Sequence, residues 1–111
     1  MRYEKSITVE KAKANYINRL LNVQPKFEKE CFGENEKHSD SVTFENGYKM
    51  YVDICGVQYE DGGDNTAWSQ AVLHDKDGFQ LAYTEPSVDY LGEWEITFNG
   101  DVYVMNISTK D

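Results

Sequence analysis

The sequence predicts an α+β domain spanning residues 1–111: an N-terminal helix and a short second helix, at about 8–33, packed on a twisted, mainly meandering antiparallel sheet of five to six strands, at about 41–108. Three observations lead there. Apolar residues recur at helical spacing in the first part, the period falls to 2 from Val42 onward, and three turn signals divide the second part into hairpins. Helices followed by successive hairpins give helix-on-sheet packing with no parallel crossover.

In SITVEKAKANYINRLLNV, Val9, Lys13, Tyr16, Ile17, Leu20 and Leu21 fall at helical spacings, with Ala12 and Ala14 as good helix formers. A helix from about Val9 to Asn22 follows, capped by Thr8, with Glu10 near the positive end of the dipole. Pro25 ends it and opens a second helix, Pro25 to Phe32, stopped by Gly33. The polar run GENEKHSDS is a loop.

VTFENGYKMYVDIC carries Asn46-Gly47 between alternating flanks, the pattern of a type I′ hairpin, and puts Tyr48, Met50, Val52 and Ile54 on one face. The second hairpin turns on Asp75-Lys76-Asp77-Gly78, suited to a type I turn closed by a left-handed glycine. The third turns on Asn99-Gly100, pairing Phe98 with Asp101, Ile96 with Tyr103 and Trp94 with Met105, so that Trp94, Ile96, Phe98, Tyr103, Met105 and Ile107 share a face. The opposite face, with Glu95, Thr97, Val102, Val104 and Asn106, reads as more polar.

A chain of 111 residues with 40% hydrophobic content and fifteen aromatics folds as one domain despite a net charge of −9. MRYEKSITVEK contains no apolar signal region and no window approaches a membrane span, so a cytoplasmic location is the expectation. Cys31 and Cys55 match no metal or redox spacing and read as reduced thiols. Asn106-Ile107-Ser108 matches the glycosylation triplet, which carries no meaning without secretion.

Charge is distributed unevenly. Residues 1–40 hold eight basic and seven acidic groups, a balance of +1, while residues 41–111 hold three basic and thirteen acidic, a balance of −10. That asymmetry weighs against direct nucleic-acid binding, because phosphate contact depends on Lys and Arg and the β region has only Lys49, Lys76 and Lys110. The basic residues Lys11, Lys13, Arg19, Lys26 and Lys29 alternate with acids and read as a solvated helix face.

Chemistry has little purchase. EDGGDNTAW, Glu60 to Trp68, offers oxygens for Ca²⁺, but an EF-hand count from Asp61 puts Thr66 where glycine is required, and a count from Asp75 puts Gln80 there. As a phosphate cradle the Gly62-Gly63 pair has flanks of the wrong sign. The two histidines, His38 and His74, lie in a loop and beside a turn, without a nucleophile and orienting group to make a triad. No cofactor, metal or catalytic residue is assigned, and the expectation is a protein that is not an enzyme.

What remains is an acidic rim. Glu60, Asp61, Asp64, Asp75, Asp77, Asp89 and Glu93, with the aromatics Trp68 and Tyr90 among them, sit at strand ends or connections and form the expected partner-binding set. The leading expectation is a small acidic interaction protein, an inhibitor that docks the basic, nucleic-acid-binding surface of a partner. Phage and mobile-element proteins that antagonise host defence, anti-CRISPR proteins among them, share this size and charge, which is an analogy of make-up only. The alternative is a small-ligand or carbohydrate-binding module using Tyr59, Trp68 and Tyr90 as stacking platforms, with an enzyme third. No membrane partner is expected, and an unpaired strand edge leaves homo-oligomerisation open.

Overall fold

The computed structural model describes residues 1–15, 38–57 and 66–110. Within these residues seven strands form two sheets: β1 (Arg2–Glu10), β2 (His38–Thr43), β3 (Lys49–Val57), β4 (Thr66–His74), β5 (Gln80–Tyr83), β6 (Gly92–Phe98) and β7 (Asp101–Lys110). One sheet has the order β1-β7-β6 and the other β2-β3-β4-β5. The sheets face each other across one core, so the domain is a β-sandwich and not a helix on a single sheet.

The largest correction falls at the N-terminus. The expected start of a helix, Thr8 and Val9, lies inside a strand, and β1 pairs in parallel with β7 from Arg2↔Val102 to Glu10↔Lys110. Among the described residues, helical backbone is confined to 11–15 and no helix of seven or more residues occurs. The remainder of the expected first helix and all of the second lie outside them. The reason for the strand is visible in RYEKSITVE: Tyr3, Ile7 and Val9 alternate with polar Arg2, Glu4, Ser6, Thr8 and Glu10, and β-branched residues crowd its second half. Lys5 alone breaks the alternation.

The three hairpins form where expected. Met50, Val52 and Ile54 are fully buried on β3, opposite Ala71 and Leu73 of β4, and each large member contributes roughly 1.5–3 kcal/mol of burial. The third hairpin pairs Phe98↔Asp101, Ile96↔Tyr103 and Trp94↔Met105, and its turn has φ of 56° at Asn99 and 84° at Gly100, the two positive values of a type I′ turn. Its apolar face meets the inner face of the other sheet, doing what a helix was expected to do.

The first hairpin turns differently from expectation. Phe44 N–H donates to the Tyr48 carbonyl at 2.8 Å, leaving a three-residue loop, Glu45-Asn46-Gly47, in which only Gly47 has positive φ (90°). A two-residue turn on Asn46-Gly47 would set Thr43 opposite Met50 and expel Val42 and Phe44 from the core. The longer loop sets Val42 opposite Met50 instead, and both Val42 and Phe44 are buried.

Val104 is also unexpected, being fully buried although it faces away from the core. Its neighbours in register are Glu4 on β1 and Glu95 on β6, and Arg2 lies 3.3 Å from Glu4 and 4.0 Å from Glu95. These three long side chains flank the valine in register, with about half of each exposed to solvent. The Asn106 amide and Arg2 hold the Glu4 carboxyl below its ordinary pKa.

Among the described strands β1 is an edge, and Lys5 on its core-side face is exposed beside an open groove of about 350 Å³ lined by Met1, Tyr3, Phe44 and Glu45 among others. An inward-pointing charge on an edge strand obstructs pairing with another chain. Lys5→Ile is therefore expected to cause concentration-dependent self-association, read by sedimentation velocity; a strictly monomeric variant would mean that the edge is protected by something other than this lysine.

Candidate interaction surface

The hairpin turns gather at one end of the sandwich. A Cβ on Gly47 would come within 3.2 Å of the Lys76 Cβ, and Asn46 Nδ2 donates to the hydroxyl of Tyr103, whose pair with Ile96 is the third from the third turn, at 3.1 Å. Asp75, Asp77 and Asp101 therefore share that end. Glu93 is the second residue of β6, opposite Asn106, and Asp89 precedes the strand, so both lie toward the other end. Glu60, Asp61, Asp64 and Tyr59 lie outside the described residues.

The expected site residues consequently do not form one described cluster. Asp77, Asp89 and Glu93 are exposed. Asp75 is engaged in its own turn: Oδ1 accepts from the Asp77 N–H at 2.9 Å and the Phe79 N–H at 3.0 Å. Tyr90, expected at the surface, is 1% exposed. Its hydroxyl donates to Asp40, whose carboxylate also takes the Lys13 ammonium at 2.9 and 3.1 Å, and its carbonyl accepts from the Trp94 indole at 3.0 Å. Tyr90 is thus a core anchor and cannot act as a stacking platform. Trp68 is half-buried on the face of β4 that carries Gln70, Val72 and His74, away from core-facing Ser69, Ala71 and Leu73.

On that outer face His74 lies against Tyr51, with ring centroids 5.0 Å apart, and Lys49 Nζ stands 5.0 Å from the centre of the same ring. These contacts occupy the histidine with packing, and no carboxylate among the described residues orients it. Among the described residues there is no group of three or more His, Cys, Asp or Glu side chains placed to hold a metal ion, and no helix long and apolar enough to cross a membrane.

Sequence reasoning missed the apolar part of the surface. Phe79 is 69% exposed, and Tyr83 and Val88 are each 63% exposed. FQLAY suggests that Phe79, Leu81 and Tyr83 share one face. Instead a register shift between Leu73 and His74 pairs His74 with Gln80 but Leu73 with Ala82, which leaves Leu81 packed on the core and turns Tyr83 outward opposite Val72. The bulge is a property of strand pairing and has no signature in the chain.

The segment carrying these residues is held firmly. Thr84 N–H donates to the Ala71 carbonyl at 2.9 Å, and Ser87 exchanges backbone bonds of 2.8 and 2.7 Å with Ser69. Ser69, fully buried, directs its hydroxyl to the Asp89 carbonyl at 2.6 Å. The chain from Phe79 to Asp89 therefore runs along β4 as a continuous margin of the sandwich. No family model, curated protein or solved structure matches this chain.

Proposed function

We propose that this chain is a small acidic interaction protein that docks the basic surface of a partner protein, one that otherwise holds nucleic acid, and so acts as an inhibitor. The observation that carries this reading is the one-signed charge of residues 77–109, which contain six acidic residues and no Lys, Arg or His. Five of the six, Asp77, Glu85, Asp89, Glu93 and Glu95, are exposed. Strand pairing spreads these carboxylates along a rigid margin and one outer face, so a cationic partner meets several at once without first ordering a loop.

Such an association is fast and weakens steeply as salt rises. Capture from a host lysate at low salt, elution by a salt gradient and mass spectrometry of the eluate identify the partner. The affinity of the purified pair is then expected to fall with ionic strength, DNA is expected to compete, and Asp77→Asn combined with Glu85→Gln, Asp89→Asn and Glu93→Gln is expected to abolish binding with the fold intact. An affinity that stays flat from low to moderate salt, or survives the quadruple change, would exclude charge-led docking.

A further inference from the structure

Three of the four exposed large hydrophobic residues among those described, Phe79, Tyr83 and Val88, occur within one stretch of ten, and the fourth is Met1. Residues 77–89 carry Asp77, Glu85 and Asp89, all exposed, and no basic residue, with the exposed Lys76 just before them. Nothing in the turn chemistry calls for these apolar side chains: the left-handed position is filled by Gly78 (φ 89°), and the carboxylate of Asp75 bonds the backbone of Phe79, not its ring. The core does not use them either, since Leu81 and Ala82 supply the contacts from β5.

We infer that the margin from Asp77 to Asp89 is the docking surface itself, with Phe79, Tyr83 and Val88 as its apolar centre and Asp77, Glu85 and Asp89 as its rim. The occupant is a partner protein whose contact face sets apolar side chains inside a border of Lys and Arg. This rests on the reading of the chain as an acidic docking protein and deepens it, because it locates the contact and adds an apolar requirement. Charge alone attracts many basic surfaces with little discrimination; an apolar centre ringed by charge is what specific protein interfaces use. The bonds from Thr84, Ser87 and Asp89 to β4 fix the backbone in advance, so the exposed rings lose little freedom on contact.

Two synthetic peptides of equal length and equal lysine content test this at low salt, one with two leucines among the lysines and the other with serines in their place. Titrated into the isotopically labelled chain, the leucine peptide is expected to bind about tenfold more tightly, the scale of part-burying two apolar side chains, and to shift the backbone amide resonances of residues 79–89. Replacing Phe79, Tyr83 and Val88 by Ser is expected to erase the difference between the peptides while leaving the serine peptide's affinity and the melting temperature unchanged. Equal affinities, or shifts centred on Glu4, Glu93 and Glu95 of the three-stranded sheet, would overturn this location and leave acidic docking standing. Failure of both peptides to bind would remove both readings. Resonances of 79–89 that move with protein concentration alone would assign the patch to a second copy of the chain and overturn the basic-partner proposal.

Discussion

Replacing Tyr103 by Ala is expected to lower stability by about 3–5 kcal/mol, the range for removing a large buried aromatic, whereas Tyr103→Phe costs about 1 kcal/mol, the net value of one hydrogen bond. The difference arises from what the ring touches. It stacks on Tyr3 at 5.1 Å and on Tyr48 at 5.5 Å, and Phe44 meets it edge-on at 5.3 Å. Those neighbours come from β1 and from the first hairpin, so a single side chain on β7 joins its own sheet to the opposite one. Urea midpoints of the two variants measure the contrast; a small loss for the alanine would mean that the surrounding rings close over the gap.

The same residue confers a pH dependence. Burial raises the Tyr103 hydroxyl above the ordinary tyrosine value, Asn46 opposes this by donating to the oxygen, and Asp101, Tyr48 and Tyr3 add to it. An acid whose pKa is raised on folding stabilises the folded state below the unfolded value of 10.0, and that contribution is lost as pH rises through the folded value. Tyr103→Phe should flatten the decline in stability above pH 10. If the variant declines as steeply as the parent, the other tyrosines account for it.

The second large effect is expected at Asp40. Its carboxylate accepts from the buried Tyr90 hydroxyl and from Lys13, and the side chain is 19% exposed against 42% for Lys13. Asp40→Ala leaves that hydroxyl without its acceptor and should cost about 2–3 kcal/mol. Lys13→Ala removes a more solvated ion pair and should cost less than about 1 kcal/mol. Adding Tyr90→Phe to Asp40→Ala should recover part of the loss, because the stranded hydroxyl is then gone. A double-mutant cycle by thermal melting reads the coupling between Asp40 and Tyr90, and additive losses would show that the pair is not coupled.

How much of this was legible in the chain depended on the range of the interactions. The third hairpin is legible down to its register because Asn99-Gly100 specifies a turn locally and its flanks alternate cleanly. The first hairpin lies where Asn46-Gly47 puts it, but Val42 and Phe44 select a three-residue loop over a two-residue one, because the longer loop keeps both inside with Met50. At the N-terminus, Val9, Lys13 and the alanines suggested a helix and obscured the period-2 pattern of Tyr3, Ile7 and Val9, which Lys5 interrupts. The partner that makes β1 a strand is β7, and no local feature names it.

The candidate surface divided in the same way. The excess of acid was plain from composition, and Asp77, Asp89 and Glu93 are exposed as expected. Tyr90 could not be assigned to the core from sequence because its fate depends on Asp40, fifty residues away. Phe79 and Tyr83 have no local signal because the slip of β5 against β4 decides which of FQLAY turns outward, and the exposure of Val88 follows the Ser69–Ser87 bridge, which the chain does not announce.

The parallel pairing of β1 with β7 also sets how the chain reaches this state. The Asn106 amide that bonds Glu4 at 2.8 Å is 102 residues further along, so the three-stranded sheet waits for a contact that spans nearly the whole sequence. Loops of that span close at an entropic cost paid before the contact rewards it, which places folding in the slow, millisecond-to-second class of non-local β topologies. During synthesis at about 5–20 residues per second, β1 emerges several seconds before β7 exists. The four-stranded sheet, whose neighbours are all successive hairpins, can form in that interval, and β1 must be added afterwards as the closing strand.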